Sequence, residues 1–202
     1  MHFQAGQIYH VYNRGNNKTK IFFNAGNYLY LLRKVRTEWL IYCDIICYCL
    51  MPNHFHFMLQ PNEEGCITIV LKNQPSHLQV LSKTIGKTLS SYTQAINIQN
   101  NTTGNLFQKK TKAKCLTDSS LTSYSAGDYL LNCFLYIHNN PLPASLVRQL
   151  EDWPYSSWAD YYNSRHDSLC NKDLTAQKIG LSNLDINPSR EIIDDKIIDG
   201  IW

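Results

Sequence analysis

Between Leu50 and Gln60 the chain reads L-M-P-N-H-F-H-F-M-L-Q, and no other stretch constrains the fold as much. In a strand, successive side chains leave on opposite faces, so His54 and His56 share one face while Phe55 and Phe57 share the other. Two imidazoles then converge on one point. Neutral imidazole is the commonest side-chain metal ligand, and ligands on a strand are held more rigidly than ligands on a loop. The simpler reading is a half-buried strand with two polar tips, and the rest of the chain must decide. Pro52 cannot donate to a ladder, so the Ile-, Tyr- and Cys-rich stretch 41–50 and the histidine strand read as adjacent antiparallel strands joined by a tight turn at Met51-Pro52-Asn53.

The flanking segments supply the remaining elements. Near the start, Ile8, His10 and Tyr12 alternate with Tyr9, Val11 and Asn13 before the chain breaks at Gly15-Asn16-Asn17, a strand followed by a polar turn. Asn27 to Leu40 carries Leu29, Leu32, Val35, Trp39 and Leu40 at helical spacing. Asn62 to Gly65 reads as a loop. From Ser76 to Ile98 the residues Leu78, Leu81, Ile85, Leu89, Tyr92 and Ile96 recur every three or four positions, which predicts a long amphipathic helix with Lys83 and Lys87 on one side. Asn100 to Asn105 reads as a turn, and Leu106 to Leu116 as a strand bearing Phe107, Lys109 and Lys112. Tyr129, Leu130, Cys133, Phe134 and Ile137 predict a helix over 123–140 that stops at Pro141, and E-D-W-P-Y-S-S-W beyond it is expected to fold back on the domain. This order, strand, helix, two strands, helix, strand, helix, is that of an α+β protein: a ferredoxin-like antiparallel sheet with helices packed on one face.

Charge is distributed unevenly. The net charge is only +3, yet 65–117 contains no Asp or Glu and seven lysines: Lys72, Lys83, Lys87, Lys109, Lys110, Lys112 and Lys114. After Thr117 the sign reverses, with twelve acids against six Lys and Arg. A basic block of this kind suits a polyanion. Seven cysteines form an odd set without a C-x-x-C pair, which fits reduced thiols rather than a disulfide framework. No apolar run is long enough to span a bilayer and the first residues lack the order of a signal peptide, so a cytoplasmic location is expected.

A two-histidine site needs further ligands, and a metal that handles phosphate needs a nucleophile beside it. Tyr136 and Asn140 stand four apart and project from one side of the last helix, the tyrosine as nucleophile and the amide oxygen as third ligand. Asn140 precedes Pro141, which also allows it to sit at the helix cap. Tyr129, seven residues earlier on nearly the same face, is the rival nucleophile, and His138 points away as a packing or phosphate-contacting side chain.

Taken together, M-P-N-H-F-H-F-M-L resembles the histidine-hydrophobic-histidine motif of HUH endonucleases, specifically of the single-tyrosine transposases of insertion sequences. Three more strings sharpen the resemblance to the REP-associated tyrosine transposases: Y-H-V-Y-N-R-G-N-N, G-N-L-F-Q-K-K-T-K-A-K, and Y-I-H-N-N-P followed by W-P-Y-S-S-W. They run in family order from Tyr9 to about Trp158. The resemblance implies a domain over 1–165 that cuts and rejoins single-stranded DNA with a divalent ion, Mg²⁺ or Mn²⁺, held by His54 and His56. Tyr136 matches the family's catalytic tyrosine, which becomes linked to the 5′ phosphate, and Asn140 matches its third ligand. Ligand softness alone would equally admit zinc. The basic block carries lysines where relatives often carry arginine, and the acidic extension 166–202 lies outside the resemblance.

The expected partner is single-stranded or hairpin DNA, in the form of short repeated palindromic elements as the resemblance implies, with no membrane and no obligatory protein partner evident. Lys83, Lys87, Lys109, Lys110, Lys112 and Lys114 are candidate phosphate contacts, Arg14 a contact to phosphate or a base edge, and Phe107, Tyr92 and Tyr12 candidate stacking platforms. Two other functions compete with a DNA nuclease and strand transferase. One is a domesticated DNA-binding protein of the same fold that no longer cuts. The other is a two-histidine hydrolase of small phosphoesters, which leaves the acid-free lysine block without a purpose.

Overall fold

The structure, a computed structural model, describes residues 1–71, 74–117, 126–162 and 167–180. Lys72, the start of the expected tyrosine helix at 123–125, and the acidic tail from Leu181 onward lie outside the described residues.

Strand β1 (Tyr9–Arg14) leads into helix α1 (Ala25–Lys34), whose Asn24 side chain caps the backbone N–H of Asn27. The helix runs on into a π-helical turn, Val35–Trp39. Strands β2 (Cys43–Met51) and β3 (His54–Pro61) follow, joined at Pro52-Asn53, then a single-turn helix α2 (Glu63–Cys66) and the hairpin β4 (Thr68–Leu71) and β5 (Gln74–Gln79). Helix α3 (Val80–Asn100), strand β6 (Lys112–Cys115), and helices α4 (Ala126–Asn139), α5 (Trp158–Tyr162) and α6 (Lys172–Ile179) complete the chain. The main sheet is antiparallel in the order β2-β3-β1-β6. With α1 between β1 and β2 and α3 between β3 and β6, this is the βαββαβ ferredoxin-like arrangement, and β4-β5 is a separate two-stranded insertion.

Register assigns the faces. Val11 pairs with Phe57 and Tyr48 with Phe57, so these side chains share a face, and α1 and α3 cover it. Trp39 lies 5.0 Å from Phe57 between ring centroids, and its indole N–H donates to Thr88 Oγ1 of α3 at 3.0 Å. On the other face His56 pairs with Tyr12 and Cys49, and Tyr12 with Lys112. A register shift between Ile45 and Cys47 exchanges faces along β2, which brings Cys47, Cys49 and Met51 beside the histidines. The two helices of the core thus share one face, while α4 crosses the histidine face with Tyr136 against it.

The aromatic segment does fold back. Leu50 N–H donates to the Tyr155 carbonyl at 2.9 Å, Tyr48 N–H to Ser157 Oγ at 2.8 Å, and Trp153 Nε1 to the Leu50 carbonyl at 3.1 Å, so β2 is not a bare edge. Residues 167–180 dock there as well, Asn171 N–H donating to the Ile45 carbonyl at 2.8 Å, and from α5 the Tyr161 hydroxyl donates to the Ile46 carbonyl at the register shift. All seven cysteines are free thiols.

Three elements differ from expectation. Helix α3 starts at Val80 rather than Ser76, because the residues before it pair with β4. The stretch 62–65 is no plain loop: the Asn62 side chain caps Gly65 N–H and closes one helical turn. The strand expected over 106–116 shortens to β6, since Leu106 to Thr111 follow an irregular path anchored by Gln108 N–H on the Arg14 carbonyl at 2.8 Å. Among the described residues no helix is long and apolar enough to cross a membrane.

Candidate active site

His54 and His56 occupy one face of β3 with ring centroids 5.0 Å apart. Each ring is gripped through Nδ1. His54 Nδ1 lies 2.6 Å from Asn53 Oδ1, and Asn53 Nδ2 donates to the Lys18 carbonyl at 3.3 Å, which orients the amide with its oxygen toward the ring. An amide oxygen only accepts, so His54 carries its proton on Nδ1 and its lone pair on Nε2. His56 Nδ1 lies 2.8 Å from His10 Nε2 of β1.

The third element is the end of α4. Tyr136 sets its ring edge-on to His56 at 5.8 Å and to His10 at 6.5 Å. One turn later Asn140 donates from Nδ2 to the Tyr136 carbonyl at 2.8 Å, which turns Oδ1 toward His54 Nε2 at 3.5 Å. Asn140 does sit just past the helix, and from there it both caps the last turn and reaches the histidine strand. Tyr129, the rival nucleophile, lies instead beneath Lys114, whose Nζ is 5.7 Å from its ring centroid. His138 is buried and meets Ser157 Oγ at 2.7 Å among Phe134, Trp158 and Tyr161, so it packs and touches no phosphate path. Strands β1 and β3 and helix α4 of a single chain build the whole constellation.

Burial lowers the pKa of His54; the Asn140 amide opposes that shift and the Arg14 guanidinium adds to it. His56 falls well below the ordinary imidazole value, first through burial and then through its neighbours His10 and His54. Both rings are therefore neutral at neutral pH, the form that binds a metal. Two imidazoles and an amide oxygen fit a divalent cation that completes its shell with oxygen from water or substrate. Among the described residues no group of three or more His, Cys, Asp and Glu side chains is arranged to hold a metal.

The basic residues divide into two groups. Arg14, Lys110 and Lys112, with Tyr12, Asn13 and Gln108, line a cleft of about 340 Å³ on β1 and the approach to β6. Arg14 pairs in register with His54, and Lys112 with Tyr12, over whose ring its Nζ lies at 5.5 Å, so the cleft adjoins the histidines. Lys114 extends the same face. Lys83 and Lys87 stand on α3 across the sheet, and Lys109 lines an adjoining groove against α3 that shares Asn13 and Gln108 with this cleft. Phe107 is buried between Phe55 and Tyr92, and Tyr92 is buried with its hydroxyl donating to the Ile21 carbonyl at 2.7 Å. Neither ring offers a face for a base. Phe107 belongs to the core because the irregular stretch 106–111 turns it inward under α3, and Tyr92 because it lies on the buried face of α3. A larger cavity, about 580 Å³, lies between α1 and the side chains of Tyr48, Pro154, Asp167 and Leu169, away from the histidines.

His10 and Asn53 were not singled out by the sequence. The parity of β1 carries the only signal for His10, and it becomes meaningful only once β1 is known to pair with β3 in this register.

No family model matches this chain, and no curated protein matches it in sequence. Among solved structures it is similar to a REP-associated tyrosine transposase bound to a REP hairpin, with a TM-score of 0.57 and 15% identity over 84% of this chain and 87% of that one. The chain shares the fold of that protein.

Proposed function

We propose that this protein is a metal-dependent endonuclease and strand transferase acting on single-stranded, hairpin-forming DNA through Tyr136. The observation that carries the reading is the meeting of Tyr136, His54, His56 and Asn140 in one chain, with Asn140 bonded to the Tyr136 backbone and facing His54. A protein that only bound DNA would have no use for all four. The fold shared with a hairpin-bound tyrosine transposase supports the same reading.

In the proposed reaction the Tyr136 hydroxyl oxygen attacks the scissile phosphorus. The bond from phosphorus to the 3′ oxygen breaks, a 5′-phosphotyrosine bond forms, the tyrosine proton passes to solvent, and the departing 3′ oxygen takes one up. The phosphodiester is thereby conserved for rejoining by a 3′ hydroxyl. A divalent ion, Mg²⁺ or Mn²⁺, held by His54, His56 and Asn140 would neutralise charge on the phosphate and orient it. Arg14, Lys110, Lys112 and Lys114 line the flanking strand's path on the same face, with phosphate contacts that set affinity rather than sequence.

The test is incubation of the protein with end-labelled hairpin DNA carrying single-stranded flanks, with and without Mn²⁺. A metal-dependent covalent protein–DNA band on a denaturing gel is expected. Tight binding with no such band across a panel of hairpins would favour the non-cleaving binder instead.

A further inference from the structure

His10 and His56 are both fully buried, and a contact of 2.8 Å joins Nε2 of the first to Nδ1 of the second. A hydrogen bond between two neutral imidazoles holds one proton, so one ring donates and the other accepts. The direction decides the chemistry of His56. If His10 donates, His56 accepts at Nδ1 and must keep its own proton on Nε2, where it cannot serve as a ligand. If His56 donates from Nδ1, its lone pair is on Nε2.

His54, its neighbour on the same face, already shows the second pattern, with its Nδ1 proton committed to Asn53 Oδ1. The framework around His10 holds this contact in place. Its ring stacks on Tyr12 at 4.6 Å and lies within 16° of parallel to His56. Backbone pairing fixes the approach, because Tyr12 stands directly opposite His56 and His10 opposite Met58. The two imidazoles therefore meet diagonally across adjacent strands, a contact the ladder itself enforces.

We propose that His10 is a positioning residue: it accepts the Nδ1 proton of His56 and so fixes the tautomer whose Nε2 lone pair can bind the cation. The inference rests on the metal-dependent reading above and adds to it the residue that prepares His56. Partners that fix ligand tautomers typically change metal affinity by about 10–100-fold when removed.

Two measurements decide it, neither using catalysis. In the first, ¹⁵N spectra of the metal-free, histidine-labelled protein report which nitrogen of each ring is protonated. The Nδ1–H form is expected at both His56 and His10. An Nε2–H form at His56 overturns the proposal. In the second, Mn²⁺ is titrated calorimetrically into the wild type, His10→Phe and His10→Gln. Phe keeps the stacked shape but cannot accept, and about 10–100-fold weaker binding is expected. Gln, whose Oε1 can accept, restores most of the affinity. Wild-type affinity in His10→Phe overturns the proposal. The spectra use the unaltered chain, so they decide even if His10→Phe fails to fold. A wild type that shows the Nδ1–H form yet binds no Mn²⁺ refutes the metal reading and leaves the tautomer assignment standing.

Discussion

Asn140 Oδ1 faces His54 Nε2 across 3.5 Å, and each side chain is pinned from behind, Asn140 by the Tyr136 carbonyl and His54 by Asn53. With the His54 proton on Nδ1, the facing atoms are both acceptors, an arrangement that a shared cation satisfies and a direct hydrogen bond does not. The same amide that would bind the metal also closes the turn carrying Tyr136.

Replacing Asn140 by Leu removes the oxygen and keeps the bulk. Mn²⁺ affinity is expected to fall by about tenfold or more, with Asn140→Asp retaining binding through a carboxylate. Isothermal titration of both variants checks this, and unchanged affinity in the Leu variant would remove Asn140 from the ligand set.

Gly15 holds the strand end against the histidine turn: its N–H donates to the Asn53 carbonyl at 2.8 Å, and a Cβ there would lie 2.1 Å from the Thr19 carbonyl oxygen. Backbone atoms cannot yield as a flexible side chain would. Gly15→Ala is expected to cost about 1–3 kcal/mol in urea unfolding and, by displacing Asn53, to weaken Mn²⁺ binding as well.

His138 ties α4 to the returning C-terminal segment through Ser157, and burial lowers its pKa to about 3. In the unfolded chain the ring titrates near 6.5, so between these values the unfolded state binds the extra proton. The stability contribution is complete above about pH 6.5 and is lost as pH falls from there, at up to about 1.4 kcal/mol per pH unit. Urea midpoints measured from pH 7.5 to 4.5 should decline accordingly, and less steeply in His138→Gln. Ser157→Ala, which removes a partner of the buried ring, should cost about 1–3 kcal/mol at neutral pH.

The division of the lysines by the sheet is also testable. Lys110→Ala and Lys112→Ala should each reduce the slope of log binding constant against log salt by about 0.7 for a single-stranded ligand. Lys83→Ala combined with Lys87→Ala, on the far side of the sheet, should leave cleavage unchanged. Binding isotherms over a salt series distinguish the two groups.

Much of this was legible in the sequence because it rests on short-range periodicity. The alternation at His54 to Phe57, the four-residue step from Tyr136 to Asn140 and the stop at Pro141 fix the local geometry of the site without any knowledge of pairing. What stayed hidden depends on register and on which side of the sheet an element falls. Lys83 and Lys109 belong to one run of charge, yet α3 and the cleft at β1 lie on different surfaces. Phe107 sits among polar and basic neighbours like a stacking platform and is nonetheless core, since the irregular path 106–111 obeys no period. His10 shows itself only when β1 is laid against β3.

The central claim is that Tyr136 is the nucleophile of a metal-dependent DNA cleavage. The direct measurement is the yield of covalent protein–DNA adduct with labelled hairpin DNA and Mn²⁺ for the wild type, Tyr136→Phe, Tyr129→Phe and His56→Ala. The account predicts an adduct in the wild type and Tyr129→Phe and none in Tyr136→Phe or His56→Ala. An adduct that persists in Tyr136→Phe and disappears in Tyr129→Phe would contradict it.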